Sequence, residues 1–329
     1  MADSAVEYAK RLANKERATD EERAMYRPLN HGRYEIRFGE RVFRLDRQDE
    51  HDQLDVEEKN TARSIAENSA PFWDYDANAA EDEGSRPDSV DHRPNQTDIR
   101  DQMSRGTCVC FASLAGIEAI LKSQQNIVVD LSEQYANWVF MRKDGGRNHC
   151  DDGLRTTMSA RYLSESGVCE EAAYPYEDLD VVKTHCELIP PPDVKAGARF
   201  GIGSFTLIDR LGLLGPSIAN PDYLEAILAN DHDIVFGTHV AWFQPDANGV
   251  LDVKLDNFGN PEQSRGGHAM LIVGYDRTGP VPFFILKNSW GDDAGHDGYF
   301  HLSYDYIREY AKYGYIIGSV RTDMPPPGD

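Results

Sequence analysis

Residues 102–124 read QMSRGTCVCFASLAGIEAILKSQ, and this stretch decides the fold prediction. From residue 108 onward, apolar side chains recur at helical spacing and form one broad face. The members of that face are Phe111, Leu114, Ala115, Ile117, Ile120 and Leu121. The pattern predicts a buried helix over 108–124, and it places Cys108 in the first turn of that helix.

The start of the predicted helix carries two cysteines, Cys108 and Cys110. Backbone N–H groups at a helix N-terminus carry partial positive charge, so a thiol at Cys108 favours the thiolate form that acts as a nucleophile. Cys110 lies about 200° further around the helix and points to a different face. Cysteines in such helices are more often small buried apolar residues, so the local pattern alone leaves a catalytic and a structural interpretation open.

Composition restricts the classes of function. The 329 residues are 40% hydrophobic, enough for a sizeable core, and the formal net charge is −22. This charge disfavours nucleic-acid and anionic-membrane partners, because phosphate contacts need clustered Lys and Arg. No apolar run reaches the ~18 residues of a membrane span, and residues 1–17 lack the apolar stretch of a signal peptide.

The chain is predicted to consist of an N-terminal extension, residues 1–85, and a larger domain, residues 86–329. The patterns in the extension predict a charged helix over 4–27, a hairpin over 33–46, a helix over 55–68 and an acidic linker over 74–88. In the larger domain the helical patterns come early and the strand patterns late. This order predicts an α+β fold in which helices and sheet are segregated along the sequence.

Six blocks of the larger domain resemble the papain-like family of cysteine peptidases, in the family's order, over roughly residues 87–320. They are QMSRGTCVCF (102–111), LSEQ (131–134), CDDG (150–153), YPYE (174–177), GGHAMLIVGYD (266–276) and ILKNSWGDDAGHDGYFHL (285–302). The resemblance implies the papain-like α+β fold, with a helical subdomain, a β-rich, barrel-like subdomain and the active cleft between them.

The resemblance also implies the roles of four residues. The family's spacing selects Cys108 over Cys110 as the nucleophile, and His268 aligns with its acid–base partner. Asn288 aligns with the residue that orients this histidine, and Gln102 with the side-chain donor of the oxyanion hole. No metal and no organic cofactor is implied.

Five further residues align with substrate-binding positions of the family. Gly153 corresponds to the glycine whose backbone pairs with an extended peptide, and Trp290 to the tryptophan that covers the His–Asn hydrogen bond. Arg155, Gly266 and Ala269 fall where the family forms the pocket for the residue two before the scissile bond. An arginine there could accept an acidic side chain, but a solvated Arg155 is the favoured interpretation.

The sequence departs from the family at its disulfides and in one long segment. Cys150 and Cys186 align with half-cystines, but their usual partners align with Arg105 and Trp138. Half-deleted bridges predict reduced thiols and a cytoplasmic location, while a new Cys150–Cys186 disulfide stays open. Extra chain is expected around residues 190–221.

The expected function is therefore a cysteine endopeptidase that acts on peptides or proteins through a thioester acyl-enzyme. A transamidase or peptide ligase, and an inactive peptide-binding relative, are the alternatives. The extension is expected to dock in or near the cleft as an inhibitory or gating pro-segment, which would make the protein a zymogen. A docking or solubility role for residues 1–85 is the alternative to inhibition.

Overall fold

The computed structural model describes residues 5–29, 33–45, 86–143, 153–154, 156–178, 189–210 and 217–325. Some expectations from the sequence lie outside the described residues. They are the helix over 55–68, linker residues 74–85, Cys150, Arg155 and Cys186.

The helical part of the larger domain is built on α3, Cys108–Gln125, as predicted. Twelve of its 18 residues are buried, so it is the central helix of this part. It ends at Asn126, whose φ of 54° is the left-handed conformation that terminates helices. The neighbouring helices are α4, Glu133–Lys143, α5, Thr156–Glu165, and α6, Pro192–Gly197.

The β-rich part is one mixed sheet, with the order β5-β11-β6-β8-β9-β10-β7 and with β4 paired to β8. Its strands are β4, Ser89–Asp91, β5, Gly201–Asp209, β6, Ile234–His239, β7, Val250–Leu251, β8, Gly267–Asp276, β9, Phe283–Lys287, β10, Tyr299–Ser303, and β11, Ala311–Arg321. Helices α7, Pro221–Leu228, and α8, Tyr304–Tyr310, pack beside it. The structure confirms the predicted α+β class.

Strand β8 shows how the sheet joins two cores. Ala269, Leu271 and Val273 lie in the hydrophobic cluster that contains α3, whereas Met270 and Ile272 lie in the cluster on the other face. Successive side chains of a strand point to opposite faces, so an apolar run buried on both sides is expected here. The sheet therefore supports the helical part on one face and a second core on the other.

The N-terminal extension differs from its prediction. The single helix expected over 4–27 is wrong: the segment forms α1, Ala5–Ala13, α2, Asp20–Arg23, and β1, Tyr26–Pro28. Thr19 starts α2 through a capping box with Glu22, and Arg17 forms an isolated bridge to Leu255. A cap and a tertiary contact thus interrupt a pattern that resembles one helix.

The predicted hairpin is confirmed as β2, Tyr34–Phe38, and β3, Arg41–Arg44, with β1 added to make a three-stranded sheet. Gly39 supports the tight turn with a φ of +61°. The side chains of Ile36 and Phe43 are buried in the same cluster as sheet residues of the larger domain. Residues 5–29 and 33–45 therefore pack onto that domain and share its core.

The sequence analysis missed strands β5 and β11 and helices α7 and α8. Strand β5 lies in the segment where extra chain was expected, and it pairs with β11, so part of this segment belongs to the sheet. Glycines interrupt the apolar alternation in both strands and weaken the strand pattern.

None of the helices among the described residues is both long enough and apolar enough to cross a lipid bilayer.

Candidate active site

Cys108 is the first residue of α3, and its side chain reaches strand β8. The backbone N–H of Ala269 donates a hydrogen bond to Cys108 Sγ at 3.3 Å. Because Ala269 directly follows His268, the thiol lies beside the residue that was expected to act as its base. Cys110 is fully buried in the helical core.

His268 and Asn288 are brought together by strands β8 and β9, which pair antiparallel with Leu271 opposite Lys287. Asn288 follows the end of β9, and its Oδ1 lies 2.7 Å from His268 Nε2. An amide oxygen only accepts hydrogen bonds, so Nε2 carries the proton in this pair. Nδ1 of the neutral ring is then the nitrogen that can take a proton from a thiol.

Aromatic side chains enclose the His268–Asn288 pair. The ring centroids of Trp290 and Trp242 lie 5.0 and 5.5 Å from that of His268, and both indoles are completely buried. Burial lowers the pKa of His268 to about 4, while the hydrogen bond to Asn288 acts in the opposite direction. The imidazole is therefore neutral at neutral pH in this structure.

Gln102 is held against the loop that follows β9. Its Oε1 accepts a hydrogen bond from Ser289 Oγ at 2.6 Å, and its backbone N–H donates to the Ser289 carbonyl at 2.8 Å. Its side-chain Nε2 donates to the Arg105 carbonyl at 2.6 Å, within the turn that leads to α3. The amide of Gln102 is thus fixed on both sides, next to the start of the helix that carries Cys108.

The four residues are closed off from solvent. The exposed fractions are 1% for Cys108, 0% for Gln102 and 3% each for His268 and Asn288. A peptide bond must reach the thiol sulfur to be attacked, but Cys108 offers almost no accessible surface in this structure.

The residues that align with substrate-binding positions have different environments. Gly153 has a φ of +127°, a conformation that residues with a Cβ rarely adopt. Gly266 accepts a backbone hydrogen bond from Val240 at 2.8 Å, and Ala269 lies opposite Gly237 of β6. Both Gly266 and Ala269 are buried.

A pocket that the sequence analysis missed includes Asn288 in its lining. Glu118 and Glu133 line it together with Lys287, the residue before Asn288. Burial raises the pKa of Glu118 to about 7, although hydrogen bonds from Thr97 and the Leu131 N–H oppose this shift. Glu133 belongs to the LSEQ block, which was the one available signal.

The hairpin of the extension also contributes residues that were missed. The ring of Phe43 stacks on Trp290 with centroids 4.1 Å apart and planes at 4°. The Arg41 guanidinium lies over the Phe43 ring and donates to the Trp290 carbonyl and to the carboxylates of Asp101 and Asp293. The sequence shows that the hairpin carries an aromatic residue, Phe43, but it does not show that this residue contacts the distant Trp290.

Known proteins of similar sequence were found among cysteine proteases. The chain is 28% identical to a viral cathepsin of Cydia pomonella granulosis virus over 221 residues. The matched segment covers 67% of this chain and 58% of that protein. The chain is also 30% identical to cysteine proteinase B of Leishmania mexicana over 217 residues, and this match covers 65% of this chain and 44% of that protein. The chain thus spans about half the length of these relatives.

Solved structures with this fold include xylellain, a cysteine protease from Xylella fastidiosa. It matches with a TM-score of 0.58 and 25% identity, over 74% of this chain and 88% of that one. Digestive procathepsin L 3 of the Tenebrio molitor larval midgut matches with a TM-score of 0.51 and 20% identity, over 78% of each chain. The sequence profile described as papain family cysteine protease matches residues 86–314. That match covers more than half of the protein, and the chain therefore belongs to the papain family of cysteine proteases.

Proposed function

We propose that the chain is a cysteine endopeptidase that hydrolyses peptide bonds through Cys108, His268 and Asn288. The observation that carries the proposal is the 2.7 Å contact between His268 Nε2 and Asn288 Oδ1 beside a thiol at a helix N-terminus. The contact fixes the tautomer that leaves Nδ1 as the base. The start of the helix favours negative charge on the sulfur.

In the first half of the reaction, the Cys108 proton passes to His268 Nδ1 and Sγ attacks the carbonyl carbon of the peptide bond. When the tetrahedral intermediate collapses, the imidazolium gives this proton to the leaving amine, and a thioester remains on Cys108. In the second half, His268 takes a proton from water, and the hydroxide attacks the thioester. The acid product leaves, and the proton returns to Sγ.

The negative charge on the carbonyl oxygen is stabilised by two donors, the Gln102 side-chain amide and the backbone N–H of Cys108. Each such donor contributes roughly 3 kcal/mol when it is preorganised. Ser289 and the Arg105 carbonyl hold the Gln102 amide in place, which supports this role, because the Gln102 side chain does not have to be ordered during the reaction. One amide hydrogen of Gln102 is left for the substrate oxygen.

The catalytic assignment is tested with a fluorogenic peptide library and an epoxysuccinyl reagent. We expect Cys108 to be labelled fastest of the five cysteines, and Cys108→Ala to abolish hydrolysis. Cys110→Ala is the matched control, because it removes a buried thiol two positions away on the same helix. Hydrolysis that survives Cys108→Ala would contradict the mechanism, and preferential labelling of Cys110 would contradict the choice of nucleophile.

The same library examines substrate preference and the ligase alternative. Enrichment of acidic residues two before the scissile bond would support a role for Arg155 in that pocket, and no enrichment would remove it. Adding a competing amine separates hydrolysis from transfer, since a peptidase releases acids whereas a transamidase releases amides. We expect acids to dominate, because water is the acceptor in the proposed reaction.

We further propose that the extension gates the cleft. The near-complete burial of the four catalytic residues supports this, as does the docking of Phe43 onto Trp290 beside His268. The Tenebrio molitor protein is by its name a procathepsin, which agrees with a proform of this chain. Cleavage between residues 45 and 86 would let the extension move away from the cleft more readily, because only its contacts with the larger domain would then hold residues 5–45 in place.

Gating is tested by inserting the recognition sequence of a specific protease within residues 74–85. We expect the cut protein to hydrolyse a small peptide amide several-fold faster than the intact chain. The unmodified chain treated with the same protease is the control. Equal kcat/KM before and after complete cutting would remove gating and leave the catalytic assignment unaffected.

A further inference from the structure

Arg41 connects the N-terminal extension to two loops of the active site. Its Nη2 donates to Asp101 Oδ2, and its Nη1 donates to the Trp290 carbonyl and, at 2.9 Å, to Asp293 Oδ1. Asp101 directly precedes Gln102. Trp290 and Asp293 belong to the loop that follows β9 and Asn288.

The two loops also interlock with each other through backbone contacts. Asp101 and Trp290 form an isolated β-bridge, and the Gly291 N–H donates to the Arg100 carbonyl at 3.1 Å. Both loops turn sharply beside these contacts, since φ is +53° at Met103 and +83° at Gly291. A Cβ at Gly291 would lie 2.7 Å from Arg41 Nη1, so the guanidinium occupies the space next to this turn.

The charges favour a cation at this point. Asp101 and Asp293 come from different loops, and both carboxylates contact the same guanidinium. Without that charge the two carboxylates would repel each other across the junction of the loops. A planar guanidinium can serve both carboxylates and a carbonyl together, whereas a lysine ammonium offers one point charge.

The extension holds Arg41 in place. Its neighbour Phe43 is buried against Trp290, and the guanidinium lies 4.7 Å from the Phe43 ring centroid. Strand β3 is anchored in turn by pairing with β2, where Val42 lies opposite Arg37. Arg41 thus approaches the loops from a strand that is fixed in the shared core.

We propose that Arg41 is a positioning residue for catalysis, one that holds the Gln102 loop and the Asn288 loop in register. This role rests on the proposed peptidase function, because it acts on the oxyanion donor and on the residue that orients His268. It also assigns residues 33–45 a supporting role in the working enzyme, in addition to any gating by the extension.

The test uses the full chain with Arg41→Gln, Arg41→Lys and the control Arg27→Gln. Arg27 lies in the same three-stranded sheet and pairs with Glu35, but it is largely exposed. We expect Arg41→Gln to lower kcat about tenfold with little change in KM, less than the roughly hundredfold loss for a missing oxyanion donor. Arg41→Lys should give an intermediate kcat, and Arg27→Gln should match the wild type.

A double-mutant cycle with Asp101→Asn separates positioning from general stability. Asparagine keeps an oxygen for the Met103 N–H, which Asp101 Oδ1 accepts at 2.8 Å, but it removes the charge. Asp101→Asn alone should lower kcat. In the Arg41→Gln background it should raise kcat, because the unneutralised repulsion disappears. Melting temperatures report whether each variant is folded, and Asp101→Asn alone tests the pair if Arg41→Gln does not fold.

The outcomes distinguish the two proposals. If Arg41→Gln keeps kcat within twofold of the wild type, or if Asp101→Asn does not change kcat, the positioning role is overturned. Additive losses in the double variant overturn it as well. Hydrolysis that persists in Cys108→Ala overturns the peptidase function and the positioning role with it, whereas Cys108-dependent hydrolysis with an unaffected Arg41→Gln variant overturns the positioning role alone.

Discussion

Acid should destabilise the protein through His268, and a His268→Gln variant should reveal by how much. The buried imidazole has a pKa of about 4, against an ordinary value of 6.5. Between these values the unfolded chain binds a proton that the folded chain does not. The stability that comes from the neutral buried ring is therefore fully present above pH 6.5 and is lost as pH falls towards 4.

The pKa difference sets the size of the effect. The full shift corresponds to roughly 3 kcal/mol, and about 2 kcal/mol of it falls between pH 7 and pH 5. Glutamine has no proton to gain in this range, and its amide can still donate to Asn288 Oδ1. The difference in unfolding free energy between the wild type and His268→Gln should therefore shrink by about 2 kcal/mol from pH 7 to pH 5.

Urea unfolding at the two pH values measures this difference, and the comparison cancels the other titrating groups. His239 and His301 also have pKa values lowered to about 4 by burial, but both are present in both proteins. His92 provides a control of opposite sign, because its contact with Asp233 raises its pKa despite burial. The unfolding free energy of the wild type minus that of His92→Gln should therefore grow as pH falls. A wild-type minus His268→Gln difference that stays constant would refute the reasoning.

Three other outcomes are expected. Phe43→Ala should lower the unfolding free energy by about 3 kcal/mol, because it empties the stacked position on Trp290, whereas exposed Val42→Ala should change it by less than about 0.5 kcal/mol in the same urea titration. Glu118→Gln should raise the melting temperature at pH 8 but not at pH 5. Burial raises the Glu118 pKa to about 7, so the wild type loses stability as pH rises from the ordinary pKa of a glutamate through 7. Thiols blocked during unfolding without reductant should number five, and a disulfide between Cys150 and Cys186 would contradict both this count and a reducing location.

The sequence predicted those parts of the site whose signals are local. Cys108 was placed at a helix start by the pattern that follows it, and the resemblance to the papain-like blocks selected Cys108, His268 and Asn288 as site residues. Asn288 follows a second strand, and pairing of the two strands turns two separate blocks into one hydrogen bond. The α+β class followed from the order of such patterns along the chain.

Contacts between distant residues could not be predicted in this way. Arg41 and Phe43 meet Trp290 across about 250 positions, and nothing in either segment encodes the other. The same reason explains the wrong prediction for residues 4–27, where a bridge between Arg17 and Leu255 replaces the middle of a helix. Charged residues at helical spacing predict a helix only until tertiary contacts compete with it.

The shared core has a consequence for how this protease would become active. Ile36, Phe43 and Leu45 are almost completely buried in one cluster with Trp242 and Trp290. A chain that begins at Arg86 lacks these side chains and leaves the Trp290 indole without the stacked Phe43 ring, although gating alone predicts that it is the fastest form. If residues 33–45 support catalysis, the chain cut between residues 45 and 86 must exceed both the intact and the shortened chain in kcat. A shortened chain that is folded and as fast as the cut one would show that the hairpin only gates.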